Sequence, residues 1–98
     1  MTEPTNDAAV LVARATICNR RGLHARAAAK FVATAERFTA NVDVEAYGQS
    51  VSAQSIMGLM MLGAGKGSEI ELRATGADAA EALAALTALV EAGFHESD

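Results

Sequence analysis

The chain has 98 residues, 51% of them hydrophobic and 20% charged: enough apolar material for one core, and too little length for two. Eight basic residues against twelve acidic ones give a net charge of −4, and the Arg and Lys are scattered, which argues against a nucleic-acid or membrane-surface partner. Cys18 is the only cysteine, so an intramolecular disulfide and a four-cysteine zinc site are excluded.

The opening Met1 to Asp7 lacks the basic-then-apolar order of a secretory signal, and no apolar run approaches the roughly 20 residues that span a bilayer. A cytoplasmic protein without metal or cofactor is expected, with polar tails at 1–9 and 94–98 around one domain at 10–93.

From Leu11 to Cys18 the residues Leu11, Ala13, Ala15 and Ile17 alternate with Val12, Arg14, Thr16 and Cys18, the period of a strand with one buried face. Turn chemistry at Asn19-Arg20-Arg21-Gly22 follows. Ala28, Phe31, Val32, Ala35 and Phe38 then recur at helical spacing and predict a helix over 25–38. Val42, Val44 and Ala46 alternate with Asp43, Glu45 and Tyr47, and Val51 lies beyond Gly48-Gln49, which predicts a short hairpin with an irregular tip.

Ser55 precedes the apolar run 56–62, which fits a short second helix in spite of Gly58. After Gly63, Gly65 and Gly67, the segment 68–74 alternates Ile70, Leu72 and Ala74 with charges, the clearest strand of the chain. Asp78 and Glu81 resemble an acidic capping box, and Ala82, Leu83, Leu86, Leu89 and Val90 form the apolar stripe of a third helix ending before Gly93. The order β-α-β-β-α-β-α, with solvated charges on each strand, predicts an α+β open-faced sandwich: a four-stranded antiparallel sheet with three helices on one face.

The segment Asn19-Arg20-Arg21-Gly22-Leu23-His24-Ala25-Arg26-Ala27-Ala28 sets a histidine where a loop enters a helix. Free amides and the positive dipole end there suit a phosphoryl group, disfavour the protonated imidazole, and leave a neutral nucleophile, with Arg26 offering a forked cation. The plainer reading is a capping or surface histidine. His95, in the polar end, reads as solvated.

Gly22-Leu23-His24-Ala25-Arg26-x-Ala28, then Phe31-Val32, then Ser55-Ile56-Met57-Gly58-Leu59-Met60 resemble the histidine-containing phosphocarrier family, HPr, of the phosphoenolpyruvate-dependent phosphotransferase system. The resemblance runs from about Ala13 to Val90. Asn19-x-x-Gly22, Leu62 with Lys66-Gly67, Ala74-Thr75-Gly76, Glu81 to Ala85 and the Gly93-Phe94 acidic ending resemble its nitrogen-related branch, NPr. The resemblance implies that His24 accepts a phosphoryl group at Nδ1 from Enzyme I and passes it to a IIA-type protein, with Arg26 balancing charge. It implies a phosphoryl carrier without turnover of its own.

One position departs from the family: Ala27 stands where proline is usual, which restores a backbone N–H near the anion site. The serine matching Ser55 is phosphorylated by HPr kinase in some lineages, whereas as a helix N-cap Ser55 needs no further explanation.

Core packing accounts for Ile56, Leu59 and Leu62 in the second helix. Met57 and Met60, with Ile56, are the choice for a soft partner face beside His24, to which Arg20, Arg21 and Ala27 are added. Arg20 and Arg21 equally suit a solvated loop. Cys18 has no base nearby and is given no chemistry.

A monomer is expected, since a carrier shows one face to partners in turn. Two rival readings stand beside the carrier. One is a regulatory binding module whose phosphorylation at His24 or Ser55 selects partners. The other is a small-ligand-binding domain with no phosphorylation.

Overall fold

The computed structural model describes residues 9–97; the expected tail at 1–9 thus lies outside them but for residue 9. The elements are β1 (Leu11–Thr16), α1 (Ala25–Ala35), β2 (Asn41–Ala46), β3 (Gln49–Ser52), α2 (Ile56–Met61), β4 (Glu69–Thr75) and α3 (Ala79–Glu91), with a short turn at Gly93–His95. The strands form one antiparallel sheet in the order β1-β4-β2-β3.

Strand alternation sorts the two faces. Ala15, Val42, Val44, Ala46, Ile70, Leu72 and Ala74 turn inward, and the helices cover them with Ala28, Phe31, Leu59, Leu83, Leu86 and Val90. The predicted open-faced sandwich is the observed one.

The outer face carries charges. Glu45 and Glu71 stand directly opposite in the β2–β4 register, a like-charged pair. Arg73 Nη2 bridges them, 3.2 Å from Glu45 Oε1 and 2.6 Å from Glu71 Oε2. Arg73 and, beyond it, Arg14 hold the Glu71 carboxyl below its ordinary range.

Several expectations need correction. The first helix ends at Ala35, not Phe38: the chain tightens there into turns, with Arg37 N–H donating to Thr34 O and Phe38 N–H to Ala35 O. β1 stops at Thr16. The hairpin tip is regular, because Ala46 pairs with Gln49 and both Tyr47 (φ 53°) and Gly48 (φ 77°) have positive φ, the requirement of a two-residue type I′ turn.

The capping box does not form either. Asp78 occupies the N-cap position of α3, but its carboxylate accepts from Thr39 N–H at 2.9 Å, Ala40 N–H at 2.8 Å and the Thr39 hydroxyl. It fastens the turn after α1 to the start of α3, and these donors hold its carboxyl below the usual range.

Of the expected tail at 94–98, residue 98 lies outside the described residues, and the described part, 94–97, is not a free tail. Gly93 (φ 63°), Phe94 (φ 57°) and His95 (φ 59°) make a left-handed turn, and Phe94 is completely buried in the core. Left-handed backbone costs a non-glycine residue roughly 1–2 kcal/mol, and burial of the Phe94 ring holds the conformation in place.

Candidate functional site

Gly22 fixes the loop that delivers His24. Its φ is +65°, and a Cβ there would lie 2.4 Å from Ala64 O and 2.7 Å from Gly65 Cα, so only glycine lets this loop lie on the loop after α2. Leu23 N–H donates to Ala64 O at 3.0 Å, and the buried Leu23 side chain anchors the turn.

His24 is the N-cap residue of α1 in extended backbone, and its side chain makes no capping bond. The first intrahelical bond runs from Ala28 N–H to His24 O. Among the described residues, the amides of Ala25, Arg26 and Ala27 thus have no hydrogen-bond partner at the positive end of this eleven-residue helix.

The imidazole points to the C-terminal segment. His24 Nε2 lies 2.5 Å from Glu96 Oε2, with both side chains largely covered (16% and 14% exposed). Asn19 Nδ2 donates to Glu96 Oε1 at 3.0 Å and to Gly22 O at 2.9 Å, so one buried amide ties the loop to the carboxylate. The Asn19 bond first, then His24 and the charge of Lys30, hold the Glu96 carboxyl below its ordinary range. Lys30 Nζ in turn donates to Phe94 O at 2.6 Å.

These residues border a cleft of about 310 Å³ lined by Arg21, His24, Arg26, Lys30, His95, Glu96 and Ser97. Among the described residues, three permanent cations face one carboxylate there, a surplus of positive charge that suits an anion. A smaller cleft of about 220 Å³ beside Cys18 shares none of these residues. There the exposed Cys18 thiol lies 3.5 Å from Val90 O and Glu91 O.

The predicted site residues divide clearly. His24, Arg26 and Arg21 meet in the cleft, while Arg20 is exposed on the same loop and does not line it. Ala27 is contradicted as a partner contact: its side chain is fully buried on the face of α1 that also buries Ala28 and Phe31, leaving only its amide at the helix start. Ser55 is the N-cap of α2, its Oγ accepting from Gly58 N–H at 2.9 Å. A Cβ at position 58 would lie 3.0 Å from Ser55 Oγ and from Val51 Cβ, a close fit that a side chain meets only if these neighbours give by a few tenths of an ångström.

On α2, Leu59 and Leu62 are buried as expected, but Ile56 is 40% exposed rather than in the core. Met57 (68%) and Met60 (39%) are open, and Met61, which the periodicity did not single out, is the most exposed at 74%. The patch sits on a helix packed against α1.

Sequence reasoning missed Glu96, Lys30 and the buried role of Asn19. The available signal was Phe94: a large apolar residue directly after a helix-ending glycine tends to fold back on the helix, which carries the following residues toward the core.

Among the described residues no three His, Cys, Asp or Glu side chains cluster to hold a metal ion, and no helix is long and apolar enough to cross a membrane.

The family model described as "PTS HPr component phosphorylation site" matches residues 11–92. A phosphocarrier protein HPr of Neisseria meningitidis is 51% identical over 82 residues, covering 84% of this chain and 92% of that one. A phosphocarrier protein NPr of Shewanella violacea is 46% identical over 82 residues, covering 84% and 90%. The crystal structure of an HPr from Thermoanaerobacter tengcongensis superposes with a TM-score of 0.85 at 43% identity, covering 90% of this chain and 99% of that one.

Proposed function

The chain belongs to the HPr family of phosphocarrier proteins of the phosphotransferase system, and from that premise we propose that His24 is its phosphoacceptor, charged at Nδ1 by phosphorylated Enzyme I and discharged to a IIA-type protein. A family member of this kind is passed between enzymes and has no turnover of its own. The observation that carries the assignment is His24 at the head of α1, with three amides that have no intrahelical partner following it and Arg21, Arg26 and Lys30 around the same cleft. A phosphoryl group on the ring meets donors and positive charge there without rearrangement of the fold.

The transfer requires in-line approach of two partners and rapid separation, so the interface is small and the protein acts as a monomer. Ile56, Met57 and Met60 form the apolar part of that interface, since flexible methionines adapt to successive partners. Arg20 and Arg21 steer acidic partner surfaces toward it. Ser55 modulates the same face: a phosphate there suits the start of α2 yet sets about two negative charges beside exposed Ile56 and Met57, weakening docking without unfolding the domain.

The system served is of the regulatory, nitrogen-related type, and the protein works in the cytoplasm. The motifs around Asn19, Lys66-Gly67 and Glu81 to Ala85 support this branch, and the similar relatives carry both names.

Intact mass after incubation with phosphoenolpyruvate and Enzyme I tests the assignment. One acid-labile phosphoryl group is expected on the wild type and none on His24→Ala. A phosphorylated His24→Ala protein would refute it.

A further inference from the structure

An ionised carboxylate only accepts hydrogen bonds, so the 2.5 Å contact between His24 Nε2 and Glu96 Oε2 requires the ring proton to be on Nε2. A neutral imidazole has a single N–H, and its other nitrogen, Nδ1, then keeps a free electron pair. We propose that Glu96 is a positioning residue for phosphoryl transfer, holding His24 in the tautomer whose Nδ1 is the attacking atom and stabilising the charge that attack creates. The inference rests on His24 being the phosphoacceptor.

The transfer balances without moving a proton. The Nδ1 electron pair forms the new N–P bond while the bond from phosphorus to the donor atom breaks, its pair returning to the donor. Nε2 keeps its hydrogen throughout. The acceptor ring gains positive charge as Nδ1 commits its pair, and that charge appears against the Glu96 carboxylate, in a spot that water reaches poorly. In the reverse transfer the same carboxylate keeps the proton from wandering to Nδ1 as the phosphoryl group departs.

The fold holds the carboxylate in place from three sides. Asn19 Nδ2 occupies its other oxygen. Phe94, two residues earlier, is locked in the core, and Lys30 grips the Phe94 carbonyl. The left-handed turn Gly93–His95 reverses the chain after α3 and so brings Glu96 back to the start of α1. Strained backbone of this kind persists where its surroundings over-determine it, and such places gather at functional sites.

The test uses 15N-histidine-labelled protein and two variants. In the wild type, the His24 nitrogen shifts are expected to report a protonated Nε2 and a bare Nδ1. Glu96→Ala removes both acceptors. Glu96→Gln has one carbonyl oxygen for two donors, Asn19 Nδ2 and His24 Nε2, so its amide group cannot hold the tautomer as the carboxylate does.

Both variants are expected to lose the tautomer preference and to accept phosphate from Enzyme I at least about tenfold more slowly, the lower end of what loss of the partner that orients a metal-ligating histidine costs. A wild-type ring protonated on Nδ1 would overturn the proposal even if neither variant folds. So would folded variants charged at the wild-type rate, an outcome that leaves the His24 assignment standing. A wild type that takes up no phosphoryl group refutes that assignment and this inference together.

Discussion

Replacing Gly22 by alanine separates backbone strain from steric collision at the loop that presents His24. The left-handed φ of +65° costs an alanine roughly 1–2 kcal/mol. The added Cβ would also stand 2.4 Å from Ala64 O, so the loop at 64–65 must withdraw, and the Leu23 N–H to Ala64 O bond is lost with it. That bond contributes about 0.5–1.5 kcal/mol net, and the two terms together predict a loss of about 1.5–3.5 kcal/mol.

Gly48 supplies the control, because its φ is +77° and a Cβ there meets nothing within 4 Å. Gly48→Ala is therefore expected to lose only the conformational part, about 1–2 kcal/mol. Urea denaturation of both variants measures the difference as a shift in midpoint at constant slope. Equal losses would refute the claim that close approach of two loops, rather than φ alone, demands glycine at position 22.

Ala27→Pro removes one of the three amides at the start of α1 without breaking an intrahelical bond, so phosphate uptake is expected to persist while the phosphohistidine hydrolyses faster; matching hydrolysis rates in the two proteins would exclude a role for that amide. Asp78→Ala tests the clamp on the turn at 39–40. The Asp78 carboxyl is depressed from its ordinary 3.8, so its contribution is complete above that value and disappears as pH falls through the lower folded-state pKa. The stability gap between wild type and variant should accordingly narrow below pH 3.8, and a gap independent of pH contradicts the clamp. Ser55→Ala is expected to cost about 1 kcal/mol in chemical denaturation through loss of the N-cap, while His24 charging continues. Met57→Asp should leave stability within about 0.5 kcal/mol and weaken binding to Enzyme I in titration calorimetry.

The fold was legible because its signals are local. Alternation in 68–74 and the stripe from Ala82 to Val90 each require only one element to be read, and both elements formed with the buried faces the pattern indicates. The place of His24 at the head of α1 was legible too, since a histidine between a turn and a helical run has few structural settings. The missed features depend on contacts distant in sequence. Asp78 looks like a helix cap until residues 39–40 come within its reach, and the amides there are better placed donors than those of its own helix.

Glu96 was hidden for the same reason. Its partners Asn19 and His24 lie more than seventy residues away, and a short acidic ending reads as solvated unless the burial of Phe94 is taken into account. Ile56 and Met61 mark the other limit: on a six-residue helix the period is too short to choose which apolar residues face inward.

The carrier role depends on the atom that takes the phosphoryl group. Protein labelled with 15N, charged through phosphoenolpyruvate and Enzyme I and then mixed with a IIA-type protein, can be followed by 31P NMR. A single phosphohistidine signal coupled to His24 Nδ1, disappearing as phosphorylated IIA accumulates in equal amount, is the predicted result. A signal on His95, or one on His24 that no IIA-type protein discharges, would contradict the carrier role.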